Sequence, residues 1–155
     1  MNKLVFKKII LFLTGFCIFI TIEVLFRQYS YVWSGVLGGV SILLLDKIND
    51  NISWDLDLFW QAMIGGVEVT TLELITGLIA KYTPLLPIMW DYSNLPLNFD
   101  GIICIPFFII WVLLSVVGIL LADAINYYVF EDDILPHYTL FKYIKFKFHE
   151  KQRGE

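Results

Sequence analysis

Apolar residues fall in four long runs, at about residues 9–26, 28–45, 58–80 and 102–128, with short polar or proline-bearing connections between them. An α-helix rises about 1.5 Å per residue, so about 20 apolar residues cross the roughly 30 Å hydrocarbon core of a bilayer. Each run meets or approaches that length. The pattern predicts an all-α integral membrane protein with four transmembrane helices. The first run carries one charge, Glu23, near its far end, and the second carries none. The third contains Glu68 and Glu73, whereas the fourth is uncharged from Gly101 to Ala122. Pro106 suits the first turn of a helix, where its missing N–H forfeits no bond, so the fourth helix is expected to begin near Ile105. No small-residue cleavage site follows the first run, which is expected to stay in the membrane as a helix. No internal repeat stands out.

Two segments lie outside these runs. Pro84, Pro87 and Pro96 forbid a regular helix between the third and fourth runs, yet the segment is too apolar for a freely solvated loop. Trp90 and Tyr92 suit the headgroup level. The segment is expected to fold back on the outer helix ends, as an interfacial cap or a shallow re-entrant loop. Trp90, Asp91, Tyr92, Ser93 and Asn98 form its candidate motif. A membrane domain over residues 1–130 is followed by a basic and aromatic tail over 131–155. The stretch Phe141-Lys142-Tyr143-Ile144-Lys145-Phe146-Lys147-Phe148-His149 favours an anionic inner leaflet, a frayed polar tail being the alternative.

Composition points to the same solvent. Of 155 residues, 58% are hydrophobic and 17% charged, and mean hydropathy is +0.72. Soluble domains run at roughly 45–50% apolar and about 25% charged, and a domain this small cannot hide such an excess from water. A soluble enzyme, a nucleic-acid binder and a disordered chain are thereby excluded. The net charge of −4 supplies no field to hold a polyanion. Cys17 and Cys104 both lie in apolar runs and read as reduced packing residues. Among the 11 Lys and Arg, Lys3, Lys7 and Lys8 precede the first run, and Lys142, Lys145, Lys147, Lys151 and Arg153 follow the last. The positive-inside rule then places both termini in the cytoplasm, as an even number of spans requires. The loop from Asp46 to Asp57 belongs on the same side.

The carboxylates within the third run carry the sharpest chemistry. An ionised carboxylate at the centre of a membrane helix costs roughly 2.5–3.5 kcal/mol on insertion scales, and no Lys, Arg or His lies within a run to offset it. Either the carboxyls are protonated and hydrogen-bonded, or they meet a wet cavity or a cation. At about 100° per residue, Gly66, Thr70, Glu73, Thr76, Gly77 and Ala80 share one small and polar stripe. Glu68 points about 140° away, so the two glutamates form no paired site on one helix. A dyad would need a partner such as Glu23 or Asp123. Glu68, Glu73, Thr70 and Thr76 are the candidate polar transport residues. Gly35, Gly39, Gly66, Gly77 and Gly118 are candidate helix-packing positions, because small residues let helices approach.

Enzymatic chemistry is not expected. The chain has no G-x-x-x-x-G-K-[ST] phosphate loop and no H-E-x-x-H. Its two histidines, His137 and His149, lack metal-ligand spacing, and no Ser, Thr or Cys has a His within its own run as a base. No catalytic, metal or cofactor residue is assigned.

The strings Gly65-Gly66, Thr71-Leu72-Glu73-Leu74-Ile75-Thr76-Gly77 and Trp90-Asp91-Tyr92-Ser93-Asn94-Leu95-Pro96, followed by Asn98, Gly101, Ile103-Cys104 and Trp111, resemble a known family. It is the CmpB-type ABC-transporter permease (type IV) family of small bacterial membrane proteins. The resemblance is specific over about residues 63–123 and thinner before. Ile102 stands where the family usually has Gln, and Asp100 where it has an apolar residue. The resemblance implies a multi-pass protein of the bacterial cytoplasmic membrane. Four spans are few for a transport pathway, so a transporter or channel would need at least a homo-oligomer and a separate ATPase or other membrane subunit. The other expectation is a membrane scaffold or a holin-like oligomer that permeabilises the bilayer.

Overall fold

A computed structural model describes residues 2–151. Arg153, counted above with the basic tail, lies outside the described residues. Helix α1 runs Lys3–Arg27, α2 Val32–Asn51, α3 Leu58–Tyr82 and α4 Ile105–Ala124, the last continuing into a π-helical turn at Ile125–Val129. The four are long and apolar enough to cross a membrane, and the chain is a multi-pass membrane protein. The helix starts have local causes. Asn2 and Asp57 cap α1 and α3 by accepting from the N–H groups of Leu4 and Phe59, and a proline occupies the first turn of α4. Gln28, in a left-handed conformation at φ 68°, ends α1 and turns the chain directly into α2.

The helices form two hairpins, α1–α2 and α3–α4, joined by α2 packing on both α3 and α4. Both hairpins close on small residues. A Cβ on Gly15 would stand 2.4 Å from the Gly38 carbonyl oxygen, and one on Gly65 would stand 2.8 Å from Ser115 Oγ. Backbones this close admit no larger side chain. Gly35 and Gly39 receive the rings of Phe16 and Phe12, Gly66 receives Val112, Gly77 receives Ile102 and Gly118 receives Leu45. All five predicted packing glycines therefore serve contacts inside the chain.

One end of the bundle holds the N-terminus, the α2–α3 connection and the C-terminal segment. Here His137–Leu140 (β3) and Ile144–Lys147 (β4) pair antiparallel, Tyr138 opposite Phe146. Tyr138 is 2% exposed and packs with Leu45, Ile48, Leu58 and Ile119. The Lys142 N–H donates to Asp57 Oδ2 at 2.7 Å, tying the hairpin to the cap of α3. The tail is thus a paired hairpin rather than a frayed strand, with Phe141, Tyr143 and Ile144 left exposed on it. Alternation of apolar and polar residues from Ile144 to Phe148 lets it pair as a strand. At the opposite end, residues 83–104 form an ordered loop containing two short strands, Asn98–Phe99 (β1) and Ile103–Cys104 (β2).

Helix boundaries differ most at α2. It starts four residues later than position 28 and runs on to Asn51, so Asp46, Lys47 and Asp50 are helical rather than part of a loop. Asp46 and Asn49 are buried there, which favours continuing the helix because its backbone groups are then satisfied internally.

Candidate functional site

A cleft of about 350 Å³ lies between the two helix hairpins, reaching the levels of Gly15 on α1, Leu45 on α2 and Leu121 on α4. Ile18, Phe19, Phe107, Ile110, Val117 and Leu121 supply much of its apolar wall. Ile18, Ile110 and Val117 are also exposed on the outer surface of the bundle, so the cleft opens sideways, where lipid would lie. Its polar wall gathers at the loop end, from Glu23, Arg27, Glu73, Tyr92 and Trp111.

Glu73 is 2% exposed. Tyr92 donates its hydroxyl to Oε1 at 2.8 Å, and Trp111 donates its indole N–H to Oε2 at 2.8 Å. Both carboxyl oxygens are therefore held by neutral donors, one from the loop and one from α4. Burial, and then the neighbouring Glu73 charge, push the Tyr92 phenol well above its ordinary range, so it remains a donor. The Tyr92 ring stacks on Phe107 at 4.3 Å between centroids, and Trp111 stacks on Phe19 of α1 at 5.7 Å. These contacts brace the Tyr92 ring against α4 and the Trp111 ring against α1.

The loop motif is the scaffold that aims Tyr92. Its backbone N–H donates to the Gly101 carbonyl at 2.7 Å. Asp91 Oδ1 accepts from the Ser93 N–H at 2.9 Å and from the Ser93 hydroxyl. Asn98 donates to the Leu95 carbonyl at 2.8 Å and accepts from the Gly101 N–H at 3.1 Å. The Trp90 indole donates to the Ile102 carbonyl at 2.9 Å. Asp100 binds Lys81 Nζ at 2.5 Å and Tyr82 Oη at 2.7 Å, pinning the loop to the end of α3. Tyr92 is consequently a buried arm rather than a headgroup anchor, because the turn directs its ring inward.

Glu23 stands on the same cleft from α1. Arg27 Nη2 donates to its Oε1 at 2.5 Å and Ser30 to its Oε2 at 2.5 Å, while Arg27 Nη1 donates to the Met89 carbonyl at 2.6 Å. Glu68 lies outside the cleft lining, half-buried, with Oε2 unpartnered; Thr70 is half-buried with Oγ1 unpartnered, and Thr76 is half-buried. Of the four predicted transport residues, only Glu73 lines the cleft.

A second buried polar cluster sits at the opposite end. Asn49 donates to Asp123 Oδ2 at 2.7 Å, and Asn126 donates to Asp46 Oδ1 at 2.6 Å. Lys8 binds Asp46, and Tyr138 donates to Asp123 Oδ2 at 2.6 Å. The two amide bonds are reciprocal, and a sequence signal lay behind them. Ile42-Leu43-Leu44-Leu45-Asp46-Lys47-Ile48-Asn49 of α2 matches Ile119-Leu120-Leu121-Ala122-Asp123-Ala124-Ile125-Asn126 of α4 at all but two positions. Likewise Thr21-Ile22-Glu23-Val24-Leu25 of α1 parallels Thr71-Leu72-Glu73-Leu74-Ile75 of α3. Gly15 with Gly38, and Gly65 with Ser115, occupy corresponding places in the two registers. The chain therefore does contain an internal repeat, one helix hairpin written twice.

A family model described as "Putative ABC-transporter type IV" matches residues 3–144. No curated protein and no solved structure matches the chain.

Proposed function

We propose that this chain, which belongs to the CmpB-type family described as "Putative ABC-transporter type IV", is the membrane-embedded subunit of an oligomeric transporter or channel whose path runs past Glu73. One observation carries this reading. A carboxylate buried at 2% exposure, on the wall of a cleft between membrane helices, has only neutral donors on its oxygens. Intramembrane ionisable groups are costly, and they mark ion or substrate paths. The subunit performs no catalytic step of its own, and a separate ATPase or other membrane subunit supplies the energy.

Both termini lie in the cytoplasm. Lys3, Lys7, Lys8, Lys142, Lys145, Lys147 and Lys151 all belong to segments at the terminal end of the bundle, whereas Arg27 and Lys81 sit at the loop end, a bias that fits the positive-inside rule. The loop carrying Tyr92 then faces outward. A scaffold or holin-like oligomer has less support, because neither role calls for a carboxylate buried on the wall of a cleft between the helices.

Flux from liposomes reconstituted with the purified protein, together with any ATPase that copurifies in mild detergent, tests the reading. Glu73→Gln, at equal protein and lipid, is expected to lower flux at least tenfold. Flux equal to that of the native protein would overturn the proposal.

A further inference from the structure

We infer that the cleft between the two repeated hairpins is a binding site for a lipophilic organic cation, a singly charged group carried on an apolar body. The inference rests on the transport reading above and adds the class of cargo. Three observations lead to it.

The first is the charge on the wall. Glu23 and Glu73 occupy corresponding positions of the repeat and both line the cleft. Their surroundings differ. Glu23 has its own cation in Arg27, at 2.5 Å. Glu73 has a phenol and an indole, and no basic side chain pairs with it among the described residues. The wall groups Glu23, Arg27 and Glu73 therefore sum to a single negative charge with both carboxyls ionised. One monovalent cation completes the balance that the first hairpin achieves by itself. Two neutral N–H or O–H donors, one to each oxygen, fit a carboxylate and leave lone pairs on both oxygens for a further partner.

The second is the lining. Below the polar wall the cleft is built mainly from Ile, Leu, Val and Phe side chains, with Ser41 and Ser115 the hydroxyls among them and the Phe107 and Trp111 rings beside the carboxylate. A hydrated inorganic ion would gain nothing from that surface. An apolar body would, and aromatic faces attract an organic cation directly. The third is the entrance. Val117, 59% exposed, and Ile110 carry the cleft wall onto the outer surface of α4, so a solute dissolved in lipid reaches the site without crossing water.

The test is equilibrium binding of tetraphenylphosphonium to the purified full chain in nanodiscs, beside tetraphenylborate, an anion of the same shape. Saturable binding of the cation, at least tenfold tighter than that of the anion, is expected. Glu73→Gln keeps an acceptor for Tyr92 and should weaken cation binding at least tenfold. Val117→Trp, which fills the entrance from a lipid-facing position, should weaken it similarly. Leu113→Trp, on the same helix but outside the lining, should leave it unchanged and so guards against a general loss of folding. Equal binding of cation and anion, native affinity in Glu73→Gln, or no binding to the native chain would each overturn the inference. Because binding requires no flux, the two readings fail separately. Cation binding without flux upholds the site and removes the transport reading, whereas flux of inorganic ions without cation binding upholds transport and removes this site.

Discussion

Tyr92, Glu73 and Trp111 form a unit in which each side chain is worth more than its own contact. A buried acceptor stripped of its donor costs about 1–3 kcal/mol, whereas an exposed hydrogen bond contributes less because water replaces it. Tyr92→Phe should therefore lower stability by about 1–3 kcal/mol, while Tyr82→Phe, whose hydroxyl meets Asp100 at the surface, should cost under about 1 kcal/mol. Thermal unfolding of the two variants in one detergent checks the ranking, and equal losses would deny the buried unit its role. Glu73 stands out in the sequence as a carboxylate amid apolar residues, but so does Glu68, which lies outside the cleft lining, so the pattern alone does not choose between them. The donors to Glu73 do not stand out. Trp111 sits in an apolar run where a tryptophan looks like any core residue, and Tyr92 reaches Glu73 across 19 positions only because the loop turns back.

At the scale of elements, the loop between α3 and α4 is held by exposed carboxylates with a definite pH signature. Hydrogen bonds from the Ser93 side chain and backbone hold Asp91 below the ordinary 3.8, and those from Lys81 and Tyr82 do the same for Asp100. A carboxyl whose pKa is depressed in the folded state stabilises above its unfolded pKa, and that contribution is lost as pH falls through the folded value. The loop should hold its form from neutral pH down to roughly pH 4 and loosen below it. The indole N–H resonance of Trp90, which donates to Ile102, reports this directly by NMR in detergent. Loosening already at pH 6 would contradict the assignment. The helices were readable from length and hydropathy alone, since a bilayer demands both. The terminal strands were less so, although Ile144-Lys145-Phe146-Lys147-Phe148 alternates as a strand should, because basic and aromatic residues at a membrane boundary have a second, equally ordinary use.

Over the whole molecule, the repeat reorganises what the bundle is. Two hairpins inserted in the same direction place α2 and α4 side by side and parallel, which is why Asn49 meets Asp123 while Asn126 meets Asp46. Parallel repeats with a substrate site at their interface are one of the known transporter architectures. The repeat is hard to see along the sequence because residues 83–104 separate α3 from α4 where residues 28–31 separate α1 from α2, so no single offset aligns both helices of a pair. If the halves are true partners, a chain cut in the α2–α3 connection should reassemble. Fragments 1–53 and 54–155 expressed together should copurify, and Asn49→Leu should weaken their association by about 1–3 kcal/mol by leaving Asp123 short of a donor. Fragments that never associate would remove the hairpins as natural units.

The crossed bonds also predict an order of assembly. The first hairpin leaves the ribosome with Asp46 already matched by Lys8 of the same hairpin, so it can wait in lipid without a bare charge. The second hairpin has no such provision. Asp123 finds Asn49 in the half already made and Tyr138 in the segment that follows α4. Staged assembly is the expected consequence, with the first hairpin serving as the template against which the second is completed.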